Sequence, residues 1–115
     1  MNRVGFLLKV KEEKIAEYKL HHQNVWPDML EALRRAGWHN YSLFMRDDGL
    51  LFGYFETPES FQAALAGMES EAINEKWQEF MAPFFESATA ASLSTGEGGH
   101  ADKMMVELVE VFHLD

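Results

Sequence analysis

Two residues four apart, Tyr18 and His22, offer the clearest chemistry in this chain of 115 residues. Histidine is the side chain best able to exchange protons near neutrality, because its unperturbed pKa is ~6.5. A tyrosine one helical turn before it brings a hydroxyl to the same face. Such a pair suits general acid–base work on a polar ligand. It equally suits two amphipathic residues at a helix edge, and spacing alone favours that plainer reading. Tyr41 falls on an alternating stretch with His39, Leu43 and Met45. If that face is covered, its phenol needs a buried partner or a ligand, and a core tyrosine bonded to backbone fits as well. Trp77 continues an apolar stripe and reads first as core, though its ring face also suits the C–H surface of a sugar.

Other candidate constellations fail on geometry. His21 and His22 lie beside Glu17, but adjacent helical side chains point ~100° apart and do not converge on one ion. With no HExxH either, no metal site is expected. Asp47-Asp48-Gly49 lacks the alternating ligands of a calcium loop. The glycines at 96, 98 and 99 lack the strand before and helix after that a phosphate loop requires. The absence of cysteine excludes disulfides, thiolate ligands and a cysteine nucleophile, and suits a cytoplasmic protein. Ten Lys and Arg against 19 Asp and Glu give a net charge of −9 with no basic stripe, a poor match for nucleic acid or anionic lipid. No apolar run approaches the ~20 residues of a membrane span, and no apolar signal-peptide core opens the chain. With 47% hydrophobic residues, a single packed domain over 1–115 is expected.

The elements that must position these residues are legible from period and punctuation. Arg3 to Val10 reads as a buried strand. Charge rises at Lys11-Glu12-Glu13-Lys14, the start of a helix carrying Ile15, Tyr18 and His22 on one stripe. That helix stops before Pro27, which suits the first turn of a second helix with Met29, Leu33 and Ala36 inward and Gly37 as a left-handed cap. Strands Trp38–Met45 and Leu50–Glu56 pair through Arg46-Asp47-Asp48-Gly49. Thr57-Pro58 is read as the N-cap and first turn of a third helix, which closes near Gly67. Ser70 is read as the cap of a fourth, with Ile73, Trp77, Phe80, Met81 and Phe84 inward. Residues 86–102 form a Ser/Thr/Ala/Gly-rich variable loop without period, and Met105–Leu114 reads as a last strand.

The order β-αα-ββ-αα-β implies an α+β domain: a ferredoxin-like, four-stranded, largely antiparallel sheet with helices on one face. The other face needs cover, and a second copy of the chain supplies it, so a homodimer is expected.

A resemblance sharpens this. Tyr18, His22, Trp26 and Pro27 match the Y-x-x-x-H-x-x-x-W-P signature of the L-rhamnose mutarotase family. Gly37-Trp38-His39-Asn40-Tyr41 is similar to its G-x-H-N-Y segment. Leu50–Tyr54, Trp77 with Met81, and Val109–Leu114 follow in the same order. The resemblance covers about residues 1–85 and 105–115 and implies a dimeric fold of the α/β-barrel type. It also implies cofactor-free, metal-free interconversion of the α and β anomers of a pyranose, most directly L-rhamnose. Carried over, His22 is the proton donor, Tyr18 and Tyr41 hold sugar hydroxyls, and Trp77 is part of the sugar platform. Lys76 stands where the family usually has a second tryptophan; it either swings to solvent from the helix flank or alters hydroxyl recognition, and on the second reading it is counted with the substrate-binding residues. The family's segment before the last strand is absent, and the low-complexity stretch 87–102 stands in its place. The alternatives are a cofactor-free monooxygenase of the same architecture and a non-catalytic sugar-binding dimer.

Overall fold

The computed structural model describes residues 1–85 and 105–115, so the variable loop expected at 86–102 lies outside the described residues. The elements are β1 (Asn2–Lys9), α1 (Ile15–His22), α2 (Pro27–Arg35), β2 (His39–Met45), β3 (Leu50–Thr57), α3 (Phe61–Glu69), α4 (Ala72–Met81) and β4 (Val106–Leu108). The strands form one sheet in the order β2-β3-β1-β4, and each neighbouring pair is antiparallel. This is the ferredoxin-like α+β arrangement, with each crossover split into two helices.

Alternation sorts β1 cleanly. Val4, Phe6 and Leu8 are buried, whereas Arg3, Gly5, Leu7 and Lys9 take the other face. Gly53 stands opposite Phe6 in the register of β3. A Cβ on Gly53 would fall within 2.6 Å of three carbons of the Phe6 ring, so the missing side chain is what lets that ring lie flat over the strand. Phe6, wholly buried, then packs on Trp38, Tyr41, Phe55 and Phe61 with ring centroids 5.9–6.4 Å apart.

The helix boundaries follow local chemistry where it is strong. Pro27 occupies the first turn of α2, and Trp26 before it is held extended at φ −55°, ψ 132°. At the other end Gly37 takes φ +89°, and Trp38 N–H donates to the Leu33 carbonyl at 2.9 Å, a six-residue closure that aims Trp38 inward. Its indole N–H bonds the Ala64 carbonyl at 3.0 Å, tying β2 to α3. The β2–β3 turn has Gly49 at φ +93°, with Asp48 Oδ1 accepting from Leu50 N–H.

Four expectations are corrected. The third helix begins at Phe61, with Ser60 Oγ accepting from Ala63 N–H, and runs past Gly67 to Glu69. Thr57 is instead the last residue of β3, paired with Asn2 and buried; the strand ladder claims it before a helix can start. Ser70 does not cap α4; its hydroxyl donates to the Gly67 carbonyl and closes α3, leaving Glu71 as the residue before α4. The last strand is three residues, Val106–Leu108, and Val109, Val111, Phe112 and Leu114 are exposed. Finally, a register shift between His39 and Ser42, with Asn40 at φ +50°, puts His39 opposite Glu56. The extra residue breaks the alternation that His39 was expected to share with Tyr41.

Candidate active site

A cavity of about 370 Å³ lies between the helices and the covered face of the sheet. Its polar lining comes from three directions: Tyr18 and His22 from α1, Tyr41 from β2, and Asn74, Trp77 and Gln78 from α4. Apolar side chains complete it, among them Met29 and Leu33 from α2, Leu43 from β2, Leu65 and Met68 from α3, and Met105. The volume lies within the ~300–1,000 Å³ usual for small-molecule sites.

The four-residue spacing on α1 stacks the Tyr18 and His22 rings at 4.1 Å and 24°. His22 Nδ1 lies 3.0 Å from the Tyr18 carbonyl oxygen. A carbonyl oxygen only accepts, so Nδ1 carries the hydrogen and Nε2 is the basic atom of the neutral ring. The edge of Trp77 meets His22 at 5.5 Å, and Trp26 meets Trp77 edge-on at 4.9 Å. The W-P pair therefore does more than turn the chain: it buttresses the indole beside the histidine. His21 diverges, packing its ring on Phe80 and Phe84, as adjacent helical positions must.

The L-rhamnose mutarotase family model matches residues 3–114. An L-rhamnose mutarotase of Oceanobacillus iheyensis is 34% identical over 116 residues, covering 100% of both chains. One from Bacillus subtilis is 31% identical with the same coverage. The chain belongs to the L-rhamnose mutarotase family. A crystal structure of an L-rhamnose mutarotase from Formosa agariphila superimposes with a TM-score of 0.75 at 22% identity over 100% of both chains, which supports the fold.

In this member of the L-rhamnose mutarotase family, burial dominates the electrostatics of the cavity. Desolvation lowers the pKa of His22 below its ordinary value, against the raising effect of the bond to the Tyr18 carbonyl, with His21 adding a small lowering. The imidazole is thus neutral at pH 7, with Nε2 ready to accept a proton. Burial pushes the phenols of Tyr18 and Tyr41 well up, so both stay protonated and can donate hydrogen bonds.

Of the residues singled out in the sequence, Tyr18, His22, Tyr41 and Trp77 converge on the cavity. Lys76 does not: it is exposed on the outer flank of α4 and absent from the lining, about 100° round the helix from Trp77. Phe6 and Phe80 also lie outside the cavity, Phe6 deep in the core and Phe80 exposed, whereas Leu43 lines it. Sequence reasoning missed Asn74 and Gln78. The inward face of α4 is Asn74, Trp77, Gln78 and Met81, a regular i, i+3, i+4, i+7 stripe. Hydrophobicity pointed to Ile73 and Phe80 instead because half of the true stripe is polar.

Proposed function

We propose that this chain is an aldose mutarotase that interconverts the α and β anomers of a 6-deoxy pyranose, L-rhamnose first, with His22 as the proton carrier. The observation that carries the reading is a neutral imidazole on a cavity wall, its tautomer set by the Tyr18 carbonyl, facing a space lined by two protonated phenols and otherwise largely apolar. Nε2 takes the proton from the anomeric hydroxyl and delivers it to the ring oxygen as the C1–O5 bond breaks. The aldehyde rotates about C1–C2. Nε2 then removes the same proton as the former ring oxygen attacks the other face of the carbonyl, and returns it to the new anomeric hydroxyl. No proton is consumed overall. Tyr18 and Tyr41 hold hydroxyls by donation, Trp77 offers its ring to the sugar, and Leu43 and Met29 give a 6-deoxy methyl an apolar surface. Residue roles are part of this proposal, as is a cytoplasmic setting. Exchange NMR on a panel of 6-deoxy and ordinary aldoses tests it: α/β exchange accelerates on L-rhamnose, and acceleration on no sugar overturns it.

The pH dependence has a definite sign. Because burial lowers the ionisation of His22, kcat/KM is level above about pH 6.5 and falls as the solution is acidified through that lowered ionisation. Folding stability moves the same way. The unfolded chain takes up this proton near pH 6.5 and the folded chain only at lower pH, so stability is lost progressively between the two. A His22→Gln variant should lack the acid limb of the stability curve assigned to this group, measured by urea titration from pH 7 to 5.

A homodimer completes the proposal. Phe44, Phe52, Leu7 and Val106 form one cross-strand row on the face opposite the helices, with Phe44 61% exposed. A contiguous apolar row of this kind is what a second copy covers. Phe44→Glu is expected to give monomers by light scattering, and an unchanged dimer mass would exclude this face.

A further inference from the structure

Trp38 and Tyr41 are three residues apart, and in an unbroken strand such residues point to opposite faces. Here both face the helices. Trp38 is 5% exposed, both residues line the cavity that holds His22, and their ring centroids are 5.1 Å apart. The extra residue in β2 makes this possible. His39 lies opposite Glu56 and Ser42 opposite Tyr54, so three steps along β2 are matched by two along β3, and the facing of the chain is reset between Trp38 and Tyr41. The surplus is absorbed at Asn40, whose φ of +50° is the one positive value at a non-glycine among the described residues. Asparagine tolerates this left-handed conformation, whereas a β-branched residue there is strained.

Trp38 is the fixed side of the pair. Its backbone N–H donates to the Leu33 carbonyl at 2.9 Å, its indole N–H donates to the Ala64 carbonyl at 3.0 Å, and its ring stacks on Phe55 at 4.0 Å and 17°. Tyr41 is held otherwise. Among the described residues no hydrogen bond reaches its hydroxyl, so ring packing against Trp38, Phe6 and Phe55 sets where the phenol lies. We propose that Asn40 is a positioning residue for sugar recognition: its left-handed backbone lets Trp38 flank Tyr41 and so fixes the Tyr41 hydroxyl in the cavity. This rests on the mutarotase reading, in which that hydroxyl donates to the sugar. Asn40 itself is exposed and outside the cavity lining. Its side chain donates to Glu56 Oε2 at 3.3 Å on the exposed side, so the site depends on its backbone conformation.

The test compares unaltered protein with Asn40→Gly, which accepts positive φ, and Asn40→Val, which does not. Anomer exchange on L-rhamnose by NMR gives KM and kcat for each. Asn40→Val is expected to raise KM about three- to tenfold, the range of one lost hydrogen bond. Its kcat and acid limb should stay unchanged, because His22 is carried by α1 and its ring packs on Tyr18 and Trp77. Asn40→Gly is expected to keep the KM of the unaltered protein. In a Tyr41→Phe background Asn40→Val should raise KM no further. The nuclear Overhauser contact between the Trp38 and Tyr41 rings should persist in Asn40→Gly and weaken in Asn40→Val. A folded Asn40→Val with unchanged KM, an Asn40→Gly as impaired as Asn40→Val, or a KM effect that survives in the Tyr41→Phe background would each overturn the proposal. Asn40→Ala substitutes if Asn40→Val does not fold, with the same pattern expected at smaller size. Failure of the mutarotase reading shows differently: the unaltered protein then accelerates no sugar, while the ring contact still reports whether Asn40 positions Tyr41.

Discussion

His22→Ala is expected to slow anomer exchange on L-rhamnose by about 10²–10⁴-fold, the range that a positioned acid–base group supplies. The loss should fall on kcat, because among the described residues the ring is the one cavity group whose basic atom is defined by the fold: Nδ1 is committed to the Tyr18 carbonyl, and Nε2 is left to carry the proton. The two phenols cannot replace it, since burial keeps both protonated. The substitution removes a ring stacked on Tyr18 and touching Trp77, so the folded state must be checked by its melting transition before rates are compared. Two-dimensional exchange NMR at pH 7.5, above the ionisation of the imidazole, gives the measurement. Full activity in His22→Ala would falsify the assignment of the proton carrier while leaving the family membership untouched.

Gly53→Ala is expected to be the most damaging single-methyl change in the sheet. The added carbon meets the Phe6 ring at van der Waals overlap, and that ring has no free side to move into. It is wholly buried and bounded by Trp38, Tyr41, Phe55 and Phe61. Overpacking of this kind costs about 1–3 kcal/mol and sometimes more, a large share of the ~5–15 kcal/mol by which such domains are stable. Because Tyr41 both touches Phe6 and lines the cavity, the strain should also reach the site. Urea unfolding is expected to show a lower midpoint at unchanged slope, with reduced exchange activity in the protein that remains folded. A midpoint equal to that of the unaltered chain would mean that the Phe6 ring is free to tilt.

The parts of the fold legible in the sequence are those decided within a few residues. Pro27 can only sit in the first turn of a helix, Gly49 and Gly37 accept positive φ, and Asp48 closes its turn on Leu50. Two of the expectations that failed were settled by distant partners. Thr57 has the chemistry of an N-cap, yet it lies opposite Asn2 in the ladder of β1 and β3, and sheet pairing outweighs a cap. Phe80 is apolar and falls on a helical period, yet it stays at the rim, 41% exposed, against Trp26, His21 and Phe84.

The candidate site divides in the same way. By itself the sequence determined that Tyr18 and His22 share one face of α1, because a four-residue spacing on a helix leaves no other outcome. It also determined, through Trp26-Pro27 and the Gly37–Tyr41 segment, which family's residues these are. Only the tertiary structure decided that α1, β2 and α4 bring Tyr18, His22, Tyr41 and Trp77 around one cavity, that Lys76 is outside it, and that Asn74 and Gln78 are within. The rotation of α4 about its axis is set by the surfaces it packs against, and a hydrophobicity pattern cannot read it when two of the four inward residues, Asn74 and Gln78, are amides.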